Sequence, residues 1–218
     1  GDYMINLSVK DFKLKKDFLV YDLGKIELVF STAEEDRSFN RNTEYGINNL
    51  SSIIKDFNLS DVVYLNQIHS DKIYTYNKDY INIKDEEGDA LITKEKNIAI
   101  GVFTADCVPI IIVNEKSNIV ATIHSGWRGT FNSIASKTLL KMKDEFNIDT
   151  NETKVFIGPH IRKCCYEVSE ELKEKFIEKI KIDEDKLFDG RYLSMQECIL
   201  KDLREFGINE NNIYSLNL

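Results

Sequence analysis

The sequence is short of the residues that carry metal and acid–base chemistry. Its 218 residues include three histidines, four cysteines, two prolines and one tryptophan. It is also short of positive charge: 29 basic residues stand against 37 acidic ones, for a formal net charge of −8. Nucleic-acid and anionic-membrane binders need a basic footprint, so neither partner is expected, whereas a small anion held by one local Arg remains compatible. No long apolar run occurs. Residues 98–103 and 109–113 fall far below the roughly 20 residues a membrane-spanning helix needs. The first four residues, Gly1-Asp2-Tyr3-Met4, show no basic region leading into an apolar one, so no secretory signal is expected. Nothing in the cysteine spacing suggests a disulfide framework, and the expectation is a reduced cytoplasmic protein. The length and the absence of a linker predict one domain over residues 1–218, large enough to bury a core without staples. A monomer or weak homodimer is expected.

The scarce residues cluster. His69, His124, His160, Pro109, Pro159, Trp127, Cys107, Cys164 and Cys165 all fall between Gln67 and Cys165, and that span is expected to hold the chemistry. Periodicity predicts a strand at 26–31 and a helix at 44–57, then strands at 62–65, 72–76, 89–92, 98–103, 109–113 and 119–124. Several strands are apolar without polar alternation, as suits strands covered on both faces. A helix over 130–146 places Phe131, Ile134, Ala135, Leu139, Met142 and Phe146 on one stripe. A strand at 154–157, a helix at 170–181, a helix opened by a Ser194/Glu197 capping box and a strand at 212–216 complete the α/β (α+β) reading, with a mixed sheet.

Three motifs sit at strand ends: Asn66-Gln67-Ile68-His69, Thr104 to Pro109, and His124 to Gly129. Side chains leaving neighbouring strand ends converge at one rim. Two imidazoles and one thiolate there would make an open zinc site on His69, Cys107 and His124, with the fourth position free for water or substrate. A lone His or Cys is more often structural, and this dispersed spacing is no metal signature by itself, so chemistry alone leaves the two readings level. Copper is less suited. The same three residues match a blue-copper set, but no Met lies near them in sequence, and several copper centres would need many more imidazoles. Arg128, ahead of the predicted 130–146 helix, is a candidate anion ligand or else an ion-pair partner. Asp89 and Asp106 are candidate acid/base or supporting groups, with turn or cap roles equally open. His160, in the turn Gly158 to Ile161, is a reserve catalytic residue, and the vicinal Cys164-Cys165 pair reads as packing. Neither a P-loop, a dinucleotide glycine fingerprint, HExxH nor the zinc deaminase signature occurs.

At these residues the chain resembles the laccase-domain family, also labelled bacterial polyphenol oxidases, purine nucleoside phosphorylases or peptidoglycan-editing factors. The matching segments are Gln67-Ile68-His69, Asp89 to Thr93, Thr104 to Pro109, His124 to Gly129, Gly158 to Ile161 and Cys164 to Val168, in family order. The resemblance implies a layered α/β/β/α fold similar to putative cysteine hydrolases, and zinc on His69, Cys107 and His124. It also implies phosphorolysis of adenosine, inosine and methylthioadenosine, with adenosine deamination as a side activity. Ser70 and Ser125 replace the family's usual Gly and Ala, and Ala33 stands where many members have Arg. The family continues with a Cys-Thr pair and a Ser-Tyr-Arg segment beyond the position of Leu218, so its C-terminal segment is expected to be missing here. A second enzymatic class uses the same residues: an amide hydrolase editing cell-wall precursors, with Cys107 as nucleophile and His124 as base. A non-enzymatic partner module is a third possibility.

Overall fold

A computed structural model describes residues 4–218; the expectation about a leading signal rests on Gly1 to Tyr3 and lies outside them. In chain order the first elements are β1 (Ile5–Ser8), β2 (Lys13–Lys15), β3 (Phe18–Asp22), β4 (Glu27–Ser31) and α1 (Glu44–Asp56). Next come β5 (Asp61–Val63), β6 (Ile73–Tyr76), β7 (Ala90–Thr93), β8 (Ile98–Ile100), β9 (Val108–Asn114) and β10 (Ile119–Ser125). They are followed by α2 (Trp127–Phe131), α3 (Ile134–Phe146), β11 (Thr153–Ile157), α4 (Glu170–Lys179) and α5 (Glu184–Leu187). The chain closes with the β12 (Phe188–Asp189) and β13 (Tyr192–Leu193) hairpin, α6 (Met195–Phe206) and β14 (Ile213–Asn217).

A seven-stranded mixed sheet in the order β1-β14-β11-β9-β10-β7-β6 forms the centre. Alternation along its strands separates two cores. Ile110 and Ile112 of β9, Ala121 and Ile123 of β10 and Val155 and Ile157 of β11 meet the helices α3 and α6. The intervening Val113 and Phe156 are buried on the opposite face, with Ile111 and Val120 packed beside them. That opposite face is covered by β2-β3-β4, and a separate parallel pair, β5-β8, lies in the same outer layer. The helix α1 packs on β5 outside it, giving the expected α/β/β/α layering. Because both faces of the central strands are covered, they read as continuous apolar runs.

The predicted elements are present with shifted ends, and β1, β2, β3, α5 and the β12–β13 hairpin are additions. Strands β1, β2 and β3 were not expected, because their Lys- and Asp-rich stretch hides the alternation. The single helix over 130–146 is a correction: α2 ends at Phe131, and Ser133, at φ 58°, breaks the ladder before α3. Phe131 therefore leaves the α3 stripe and packs edge-on against Phe176 at 5.1 Å. Residues 101–103, expected to extend β8, instead form the loop leading toward Cys107. Ser194 caps α6 by accepting from the Glu197 N–H at 3.3 Å.

Candidate metal centre

His69, Cys107 and His124 come together, their ligand atoms within 4.8 Å of one another. Each arrives differently. His124 is the penultimate residue of β10 and lies across the ladder from Pro109 of β9, and Cys107 immediately precedes β9. His69 stands in the loop before β6 with φ 60°, a left-handed conformation uncommon outside glycine. The two imidazoles meet edge to face with centroids 4.8 Å apart. His124 is buried, Cys107 half-buried and His69 exposed, so the cluster opens to one side.

The left-handed turn at His69 has an identifiable anchor in Asp89, which is 1% exposed. Its carboxylate accepts from three successive backbone N–H groups, Ile68 at 3.3 Å, His69 at 3.1 Å and Ser70 at 2.7 Å. It also accepts from the Ser70 hydroxyl at 2.6 Å and faces His124 Nδ1 at 2.8 Å. Such a nest of convergent N–H groups suits one anion. Burial alone would raise the Asp89 pKa, yet the His124 and Ser70 hydrogen bonds outweigh it and hold it below the usual carboxylate range. Burial likewise opposes a charged His124, but Asp89 and Cys107 together lift it to about 9. With Nδ1–H given to Asp89, Nε2 is the nitrogen left for the cluster, the usual carboxylate–histidine arrangement behind a metal.

These shifts set a pH dependence for metal-free protein. His124 bonds its proton more tightly folded than unfolded, so its contribution to stability is full below about 6.5 and is lost as pH rises through about 9. Asp89 contributes above about 3.8 and loses its share as pH falls through its depressed folded value. Urea midpoints of chelator-treated protein should therefore decline between pH 6.5 and 9. A His124→Gln variant, which has no proton to lose there, should show little of that decline.

Two further residues complete the frame. Gln67 clamps the Cys107 loop: its amide nitrogen donates to the Phe103 carbonyl and its amide oxygen accepts from the Phe103 N–H, both at 2.8 Å. Gly126 leaves room where the donors crowd, since a Cβ there would lie 3.1 Å from His69 Cδ2 and 3.3 Å from Cys107 Sγ. Gly126→Ala should push the exposed His69 ring outward, lowering metal affinity by roughly tenfold, as weakened ligand geometry does, while the melting temperature changes little. Metal analysis beside a thermal scan checks both halves. The sequence reading passed over the Gln67 clamp, although Gln67 stood inside a quoted motif. Ser70, where the family usually has Gly, serves Asp89 through both its N–H and its hydroxyl.

The other expected site residues are placed as follows. Asp106 is exposed beside Cys107, and its carbonyl accepts from Ile161 N–H at 2.9 Å, tying the Gly158 to Ile161 turn to the cluster loop. Asp89 faces inward, its carboxylate accepting from three backbone N–H groups and the Ser70 hydroxyl, a geometry that suits the supporting role among those left open for it. His160 sits half-buried with Nδ1 2.8 Å from the Gly158 carbonyl. Burial, followed by the charge of Arg162, lowers its pKa to about 4. The ring is then neutral at pH 7 with its Nδ1–H given to the Gly158 carbonyl, which leaves Nε2 an acceptor. Arg128 is exposed, stacked over Trp127 at 5.0 Å, and no carboxylate pairs with it among the described residues. It lies in the short α2, so the dipole of the long helix α3 does not act at it as expected. Cys164 and Cys165 are joined sulfur to sulfur and both exposed, which removes the packing role expected of them.

An open His–Cys–His cluster, backed by a buried carboxylate at the strand ends of a two-sheet α/β fold, defines a candidate metalloenzyme. The chain belongs to the family described as multi-copper polyphenol oxidoreductase laccase, whose model matches residues 28–218. A relative from Clostridium acetobutylicum named purine nucleoside phosphorylase is 42% identical over 204 residues, covering 94% of this chain and 84% of its own. One of the same name from Aquifex aeolicus is 38% identical over 169 residues, covering 77% of this chain and 76% of its own. A protein named adenosine deaminase, from an unknown prokaryote, is 36% identical over 125 residues, covering 54% of this chain and 47% of its own. The crystal structure of the hypothetical protein YfiH of Bacillus licheniformis shares the fold with a TM-score of 0.83 at 22% identity, over 95% of this chain and 88% of that one.

Proposed function

We propose that this protein is a zinc-dependent purine nucleoside phosphorylase acting on adenosine, inosine and methylthioadenosine in the cytoplasm, with adenosine deamination as a side activity. The observation that carries the reading is the convergence of His69, Cys107 and His124 at an open rim, in a chain similar to relatives named for that activity. The donor set fits zinc, which takes Cys and His ligands and keeps one position open in catalytic sites. Copper is less favoured, because the family description's several copper centres would need more imidazoles than the three in this chain. Bound zinc would supply charge neutralisation and orientation for the nucleophile.

The chain's own residues provide the rest. Arg128, unpaired at the rim, holds phosphate through its guanidinium fork. A phosphate oxygen bonds to C1′ of the ribose as the bond from C1′ to the purine nitrogen breaks. The electron pair stays on the base, which then needs a proton. With Asp89 saturated and His160 an acceptor, Asp106 and Tyr166 are the groups left to supply it. Burial first, then the charges of Cys107 and Asp106, push the Tyr166 phenol's pKa up, so it keeps its proton. The test is chromatography after incubating zinc-loaded protein with inosine. Phosphate-dependent hypoxanthine and ribose 1-phosphate are the expected products, and no free base from zinc-loaded, folded protein would overturn the reading.

One observation favours a second reading. Asp89 bonds His124 at 2.8 Å, and Cys107 lies in the same cluster with its sulfur within 4.8 Å of the imidazole, the order of groups that activates a thiolate in an amide hydrolase. A thiolate engaged by zinc is not free to attack. Zinc that protects Cys107 from iodoacetamide supports the phosphorylase; active metal-free protein with an alkylatable Cys107 supports the hydrolase.

A further inference from the structure

A cavity of about 790 Å³ lies between the central sheet and the outer layer, within the roughly 300–1,000 Å³ range of small-molecule sites. Its walls are mostly apolar and aromatic, including Phe30 of β4, Ile100 of β8, and Tyr64 and Phe103 on the flanking loops, with Ser31, Thr32, Arg37, Asn40 and Thr104 also lining it. One polar atom is out of place there. Thr122 lines the cavity, is 6% exposed, and its hydroxyl has no hydrogen-bond partner. An unpaired buried hydroxyl costs stability that valine of nearly the same shape would not. This one therefore calls for a partner from outside the chain.

The cavity is lined by neighbours of the metal centre, though by none of its three residues. Along β10, Ala121 and Ile123 face the helices, so Thr122 and His124 share the opposite face, about 7 Å apart at strand spacing. Pro109, opposite His124, and Ile111, opposite Thr122, belong to the same wall. Thr104 and Ala105, leading to Cys107, form another part of it.

We infer that this cavity is the subsite for the flat heteroaromatic base of the substrate, with the Thr122 hydroxyl as the base's buried hydrogen-bond partner and the sugar directed toward His124. A purine matches the chemistry: its faces meet Phe and Tyr rings, and its edge carries ring nitrogens that a hydroxyl satisfies as donor or acceptor. The inference rests on the nucleoside reading of the site, and its test separates the two.

The probe is hypoxanthine, titrated into the protein by calorimetry and followed by amide chemical shifts. Binding that perturbs residues 99–103 and 120–124 is expected. Thr122→Val should weaken hypoxanthine roughly five- to tenfold, the effect of one lost hydrogen bond, while raising the melting temperature. Gly101 lines the cavity, and a Cβ there meets nothing within 4 Å. Gly101→Leu should fill that space and weaken binding more than tenfold with zinc content unchanged. No binding to wild type, shifts confined elsewhere, or wild-type affinity in both variants would overturn the inference. Inosine turnover is read in parallel: turnover with unchanged KM in both variants sinks the cavity alone, and base binding without turnover sinks the phosphorylase reading alone.

Discussion

Replacing Asp89 with alanine is expected to cost about 3–5 kcal/mol of folding stability, the range for breaking a buried ion pair by removing one partner. The same change should weaken zinc by at least the roughly 10- to 100-fold typical of a lost partner behind a metal-ligating histidine. Both losses follow from one fact: Asp89 is the common acceptor for the 68–70 turn and for His124 Nδ1. Without it three N–H groups lose their acceptor, the left-handed conformation at His69 loses its anchor, and His124 is free to choose the wrong tautomer. Asp89→Asn keeps the shape but exchanges two acceptor oxygens for one, and should fall between wild type and alanine in both respects. Denaturant midpoints and zinc affinity measured on the same preparations decide it. A variant that loses metal but keeps full stability would show that the nest does not hold the turn.

On the proposed reading, replacing Cys107 with alanine should abolish stoichiometric metal binding and reduce inosine phosphorolysis to background while leaving the fold nearly as stable as wild type. Cys107 is half-buried and makes no structural hydrogen bond apart from the cluster; its removal strands nothing in the core. His124→Ala is a poorer experiment, since it leaves the buried Asp89 carboxylate without its imidazole partner and confounds lost activity with lost stability. Metal analysis, turnover and a thermal scan on Cys107→Ala separate these effects. Full turnover in that variant would remove the thiolate from both the phosphorylase and the hydrolase readings.

The two-sided apolar runs of β9, β10 and β11 are readable because their composition records burial on both faces, whereas the α/β/β/α layering is implied only by the family resemblance. The three donors were readable as types, since His and Cys are scarce and sit at strand ends. What the sequence could not show was direction. Asp89 and Asp106 look alike in the chain, yet one points into a nest and the other to solvent, a difference set by the turn at His69 rather than by neighbours in sequence. Arg128 was misplaced relative to the long helix because a serine at φ 58° is not visible as a breaker in an otherwise helical pattern. The N-terminal strands are hidden because they are short and β2, with Lys13 and Lys15 exposed, shows no buried face.

The three cluster residues come from two loops and the end of β10, between residues 69 and 124, and no two of them are neighbours in the chain. A nascent or unfolded polypeptide thus holds no ready-made chelate, unlike chains whose ligands are spaced a few residues apart. The ion can be captured with full affinity only after β7, β9 and β10 have paired and the Gln67 clamp has closed. Metal loading then reports completed folding, and the unfolded chain is a poor scavenger of whichever metal is most abundant during synthesis.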